Sequence, residues 1–569
     1  MNHPNPAIVA QASVRRLPRP ALLLLCLAFI AAGFVGRDAW RSADLSALGF
    51  MAALSRGEAS WWNPTLLGAS PDFPALLPYW LGAWALQLAP SGWAADFWVR
   101  IPFILLLTLA FVSTWYGSYY LARTPSAQPV AFAFGGEARP TDYARAMADG
   151  GLLAFLASLG LAQLAHETTP ALAQLGFGAL LFYALSALPY HRTGPLVCAA
   201  VGMSGMSLSG APALSLLWGL GGALIHSIDS KAMDDEGNPP QHRALDAALL
   251  VAMSVAIAWI CRNLGLWVWK IEWPTLTWDY WNGHIQLLLW FTWPAWPLAL
   301  YSAWRWRKQL FNLNISRHLS LPAWLIVTSV GTMLLSGAPD RTLLLALPAF
   351  AAMAAFALPT LRRQVAALID WFTLLFFTGC GVVIWVVWIA MQTGTPPQPA
   401  ANVARLAPGF EAEFQLIPFA FAVMATLAWA WLVRWRAGRH RAAIWKSLVL
   451  PASGASLCWL LLMTLWMPLL DYAQSAKTMV KQTRSTVSPQ DCAIVLNLDL
   501  AQTAALSWYG GLDLQPLNTR KNCPWMLTEP ARNSEIPAGV DRATWGAHTL
   551  VQHPVAGSEM FWILKRHGP

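Results

Sequence analysis

The feature that most constrains this chain is a series of apolar runs nearly free of ionisable residues. They fall at 21–36, 98–122, 148–165, 171–189, 194–209, 211–228, 245–262, 285–304, 320–336, 341–359, 369–390, 416–433 and 447–468. A helix needs roughly 20 predominantly apolar residues to cross a bilayer. In hydrocarbon every backbone N–H and C=O must be paired inside the segment, which a helix achieves. The pattern predicts about thirteen spanning helices and an all-α polytopic membrane protein. Composition agrees: 56% of the 569 residues are hydrophobic and 11% charged, where soluble domains carry about a quarter charged. Mean hydropathy is +0.45. Soluble globular, disordered, collagen-like and disulfide-scaffold classes are excluded. The net charge of +9 does not indicate nucleic acid, because the basic residues sit in short clusters between apolar runs. The first run follows Arg15, Arg16 and Arg19 as in a signal peptide, but it ends in GFVGRDAW without a small-x-small cleavage site. It reads as a retained first helix.

Orientation follows from Lys and Arg. With the N-terminus cytoplasmic, the inside connections are 123–147, 190–193, 229–244, 305–319, 360–368 and 434–446. With the N-terminal tail they hold about twenty basic residues, far more than the short outside connections. The expected organisation is a cytoplasmic tail over 1–20, a transmembrane domain over 21–469 and an extracytoplasmic domain over 470–569. The expected location is a bacterial inner membrane with the C-terminal domain periplasmic.

Three outside pieces are large. The first is 37–97, where ADLSALGFMAALS (43–55) is amphipathic at helical spacing and PALLPYWLGAWALQLAP is apolar but too short to cross comfortably. Both read as interfacial helices. The second, 263–284, carries five Trp and reads as an aromatic interfacial segment. The third is the tail. Ala493–Asn497 reads as a strand, Gln502–Trp508 as a helix ended by Gly510 and Gly511, and 558–565 as a last strand. A small α/β domain fits. Cys492 and Cys523 are its only cysteines, and in an oxidising compartment they are expected to form a disulfide.

Phosphate-loop, dinucleotide, nucleophile-elbow and zinc-ligand motifs are missing; His166-Glu167 starts like HExxH, but Pro170 occupies the second His position. No metal ligands are assigned. A transporter places ionisable groups inside its spans; here the polar residues cluster at the outer interface. The densest group is Arg37, Asp38, Arg41 and Asp44, directly after the first span. Asp38 and Arg41 share a helical face at i,i+3. A carboxylate beside an arginine stays ionised and suits a general base; the same residues could equally cap an interfacial helix.

The stretch RDAWRSADLSALGFMAALSRGEASWWNPTLLGASPDFPALLPYWLGA resembles the first periplasmic loop of GT-C glycosyltransferases, nearest to the aminoarabinose and protein mannosyl transferases that use a polyprenyl-phosphate sugar. Asp38, Arg41, Ala43 and Asp44 fall on that family's acid-x-x-Arg-aromatic-Ala-acid pattern. Asp72, Pro74, Leu76, Tyr79 and Trp80 follow its second segment, and DRTLLLALPAFAAMAAF resembles its basic-aromatic-x-Leu-Pro helix, entered at Arg341. Ala39 replaces the second acid of the pair and Phe73 the lysine of the second segment. The resemblance implies transfer of a sugar from a polyprenyl-phosphate donor to a glycolipid, glycan or protein hydroxyl at the periplasmic face, with inversion. It implies Asp38 as general base with Asp44 second, Arg41 and Arg341 as phosphate cations, and Asp72, Tyr79, His166 and Glu167 around the substrate. No cofactor is implied with certainty; a divalent metal is left open. The alternative is a non-catalytic or divergent relative, a flippase for lipid-linked sugars or an assembly partner.

Overall fold

A computed structural model describes residues 5–229, 242–268, 271–275, 277–310, 315–437, 443–518, 521–531, 535–557 and 559–567, with only the backbone of Arg41 and Ala437. Among these, seven helices are long and apolar enough to cross a membrane: Ala95–Arg123, Pro170–Ala187, Arg243–Asn263, Pro339–Thr360, Arg363–Thr393, Leu416–Arg436 and Lys446–Leu465. Further apolar helices are shorter, including Arg19–Phe34, Thr193–Leu208 and Pro212–Ile228. The remaining expected spans are shortened or broken. The run 285–304 divides into Trp278–Phe291 and Ala295–Arg305, with Pro294 between them, a residue with no N–H to continue the helical ladder. The run 148–165 lies in Pro140–Ala157 and the single turn Leu161–Leu164, and 320–336 in Arg317–Met333.

Several helices open on proline (Pro140, Pro170, Pro212, Pro339). The first helical position suits it, since that N–H has no intrahelical partner anyway. Pro339–Thr360 is 89% buried over its most apolar window, whereas Leu416–Arg436 is 11% buried. The first is therefore the centre of the bundle and the second its rim.

The connections segregate to two ends. At one end the N-terminal tail meets the basic connections: Gln11 donates to Asp142, Ile444 N to Ser13 O, and Trp445 Nε1 to Arg15 O. Ser126 bonds His318, and Tyr301 Oη donates to Thr360 O. At the other end gather the residues following the first helix, those preceding Pro170 and the chain leaving Lys446–Leu465.

That second end carries the tail domain, a five-stranded sheet in the order β2-β1-β3-β5-β4. Here β1 is Cys492–Leu496, β2 Asp513–Pro516, β3 Trp525–Thr528, β4 Trp545–Gln552 and β5 Met560–Arg566. β1 runs parallel to β2 and β3, joined to β2 through the crossover helix Leu500–Trp508, while β5 is antiparallel to β3 and β4. Asp499 caps the crossover helix through Ala501 N. Cys492 and Cys523 are disulfide-bonded.

The amphipathic segment expected to lie on the membrane forms Arg41–Ser55, and it is enclosed. It packs between Leu77–Gln87 and the crossover helix Leu500–Trp508, with Leu45, Leu48, Phe50, Met51 and Leu54 all buried. Gly49 permits the second contact, because a Cβ there would stand 2.6 Å from Ala504 Cβ. An apolar stripe cannot tell lipid from protein; the tail supplies the second partner.

Candidate active site

The site is built on the turn 37–40, between the first helix and Arg41–Ser55. Three elements clamp it. Asp471, on the short helix Met467–Gln474, accepts from Asp38 N (3.1 Å) and Trp40 Nε1 (2.6 Å) through Oδ1. Tyr509, after the crossover helix, accepts from Ala39 N at 3.2 Å. Lys477, opening the helix Lys477–Arg484, places Nζ 2.6 Å from Asp38 Oδ1. The lysine side chain is 51% exposed and that of Asp38 17%. Asp38 thus lies at the edge of the protein, held by the tail. Burial, with the Asp38 charge second, pushes Asp471 up to about 6.

Asp44 faces inward from the first turn of Arg41–Ser55. Its Oδ1 accepts from Thr168 N (2.8 Å) and Thr168 Oγ1 (2.6 Å), and its Oδ2 from Arg37 Nη2 (3.0 Å) and Trp40 N (3.3 Å). Both oxygens are engaged by protein donors, and the pair with Arg37 is buried. Arg37 also donates to His166 O at 2.7 Å and stacks on Trp40. Its Nε and Nη1 have no hydrogen-bond partner among the described residues.

His166 is fully buried among Phe29, Phe34 and Trp459. Its Nε2 lies 3.1 Å from Phe29 O and Nδ1 faces Ala162 O. Burial pushes the ring down to about 3. It fills space against the first helix, where a Cβ on Gly33 would overlap it, and it faces no opening. Glu167 beside it has an Oε2 3.6 Å from Arg341 Nη2. That oxygen has no hydrogen-bond partner among the described residues. Burial, then the Asp44 charge, raises Glu167 to about 7, against the pull of Arg341 and Arg37. Arg341, in the six-residue helix Pro339–Leu344 that opens the span Pro339–Thr360, is the more exposed member, at 27% against 6%. Tyr79 is buried against Phe50. Burial and the Asp72 charge raise its phenol, and the Arg341 charge opposes them. The Arg41 side chain lies outside the described residues.

Three ion pairs, Lys477–Asp38, Arg37–Asp44 and Arg341–Glu167, therefore stand along one another, joined through the backbone of 37–40 and 166–168. A cavity of about 280 Å³ adjoins their tail side, lined by Ser42, Leu45, Gln474, Ala476, Asp499 and Glu529 among others. Among the described residues no three His, Cys, Asp or Glu converge to hold a metal. Asp471, Lys477 and Tyr509 were not foreseen from sequence. The available signal was that DYAQSAK follows the last apolar run at the end of the bundle where Asp38 follows the first.

The chain is a multi-pass membrane protein, and its fold is shared over nearly its whole length with solved structures. Its solved structural neighbours include ArnT from Cupriavidus metallidurans bound to undecaprenyl phosphate, with a TM-score of 0.59 and 11% identity over 96% of this chain and 98% of that one. The same protein in the apo state gives 0.57 and 12% over the same shares. No protein-family profile matches the chain, and no curated protein sequence does.

Proposed function

We propose that the chain is a membrane glycosyltransferase that moves a sugar from a polyprenyl-phosphate carrier to a hydroxyl on a glycolipid, glycan or protein at the periplasmic face. The observation that carries this reading is one structural coincidence. A chain-long likeness to a protein seen with undecaprenyl phosphate occurs together with an ionisable network at a single end of the bundle. A greasy carrier needs apolar helices for its tail and cations at the interface for its head. The rim helices and Arg341 suit those needs; Arg41 is the second candidate cation.

In the proposed reaction the acceptor oxygen attacks the anomeric carbon while Asp38 takes its proton. The bond from that carbon to the phosphate oxygen breaks, and its electron pair leaves with the phosphate. A single displacement inverts the centre. A phosphate leaves without help from an acid. Asp44, with both oxygens engaged, holds the turn that carries Asp38. Glu167, Asp72 and Tyr79 surround the sugar near Arg341. The cavity beside Ser42 and Gln474 offers room for the acceptor.

The test is transfer from radiolabelled polyprenyl-phosphate sugars in membranes containing wild type or Asp38→Asn. Loss of a general base lowers the rate by about 10²–10⁴. Equal transfer by the two proteins removes Asp38 from the mechanism, and no transfer from any donor overturns the transferase reading. The glycan lost in a deletion strain identifies the acceptor.

A further inference from the structure

One carboxylate oxygen of Asp38 is occupied in this structure. Its Oδ1 is engaged by the Lys477 ammonium at 2.6 Å, which stands where the hydrogen of an attacking hydroxyl would approach that oxygen. For Oδ1 to take a proton from a hydroxyl, Lys477 must move away. The lysine is suited to move. Half of its side chain is exposed while its partner is largely covered, its four-carbon stem is flexible, and its other contact is the face of the Tyr509 ring at 5.1 Å. Asp38 is fixed by comparison, since its own backbone N–H is bonded to Asp471.

We propose that Lys477 is a catalytic residue that exchanges partners: it pairs with Asp38 in the empty site and with the carrier phosphate once the lipid is bound. This rests on the transferase reading above. The chemistry of that reaction supplies the competing anion. The attacked carbon is bonded to a phosphate oxygen, and the base must stand close to the oxygen attacking that same carbon, so the phosphate lies within a lysine's swing of Asp38. When the bond breaks, the electron pair passes to the phosphate oxygen and its charge grows, and a positioned ammonium stabilises it. The same movement frees Asp38 Oδ1 to receive the acceptor proton. The tail thereby supplies a residue to the reaction.

The experiment is binding of undecaprenyl phosphate to the purified full-length protein in nanodiscs, read by tryptophan fluorescence or native mass spectrometry. Lys477→Met is expected to weaken binding about tenfold, the scale of about 1.4 kcal/mol. Lys477→Arg retains most of the affinity. Asp38→Asn, which releases the lysine from its competitor, binds as tightly as wild type or more tightly. Lys481→Met, exposed one turn further along the same helix, binds like wild type. A merely structural ion pair predicts losses of the same sign for Lys477→Met and Asp38→Asn, and that result overturns the proposal. So does wild-type affinity in Lys477→Met, or an equal loss in Lys481→Met, which would mark a general charge effect. Should Lys477→Met fail to fold, the arginine and asparagine variants still decide by their signs. Wild type that binds no undecaprenyl phosphate overturns the transferase reading and this inference with it. Wild type that binds while Lys477→Met binds equally overturns only the inference.

Discussion

At the scale of single residues, Asp44 and Asp38 show how two acids six positions apart acquire opposite roles. Asp44 is enclosed and accepts four hydrogen bonds from three residues. Asp38 meets one half-exposed cation at the protein's edge. Asp44→Asn should therefore act on stability first. It leaves the buried Arg37 charge without its partner, and breaking a buried pair costs about 3–5 kcal/mol. A large fall in melting temperature in detergent is expected, where Asp38→Asn should melt close to wild type. Glu167 gives a pH prediction. Its carboxyl is raised from 4.5 to about 7, so the folded protein holds a proton that the unfolded chain gives up. The stability this contributes is complete below about pH 4.5 and is lost as pH rises through about 7. The melting temperature of wild type should fall across that interval relative to Glu167→Gln, which lacks the titrating group. Parallel profiles would show that folding leaves the Glu167 carboxyl at its ordinary value of 4.5.

At the scale of elements, the contact between Arg41–Ser55 and the crossover helix Leu500–Trp508 depends on the missing side chain at Gly49. Gly49→Val should force the two helices apart. The tail should become sensitive to limited proteolysis in the folded protein, and transfer activity should fall with it, because Lys477 and Asp471 leave Asp38. The disulfide closes a separation of 31 residues. Replacing Cys492 and Cys523 with Ala should cost the tail domain about 2–4 kcal/mol, seen as a lower denaturant midpoint for its unfolding. The sequence made the strands at 493–497 and 558–565 readable as short apolar runs and the helix at 502–508 through its Gly510-Gly511 stop, and the structure has Cys492–Leu496, Met560–Arg566 and Leu500–Trp508 there. It could not give the docking of Arg41–Ser55. Amphipathicity reports that a stripe is apolar and is silent about what covers it.

At the scale of the whole molecule, the alternation of apolar runs with basic connections was enough to sort the chain into two ends, and the structure brings those basic connections together at one of them. The lengths of individual spans were less legible, because an apolar run carries no mark for where its helix breaks; Pro294 within 285–304 is the instructive case. The proposed orientation is open to direct measurement. A cysteine introduced at the exposed Gln490 should react with a membrane-impermeant maleimide in intact spheroplasts, and one at Arg363 only after lysis. The reverse pattern would place the tail in the cytoplasm. The sequence reading of the site stopped at residues near the recognisable segments, since nothing in Lys477 or Asp471 marks them as partners of a residue more than 430 positions away.

That separation has a consequence for biosynthesis. A growing polypeptide emits Asp38 early and the residues that restrain it very late, after every intervening helix has passed through the insertion machinery. Until then the turn at 37–40 lacks its clamps, so a prematurely terminated product inserts into the bilayer without ever assembling a working centre.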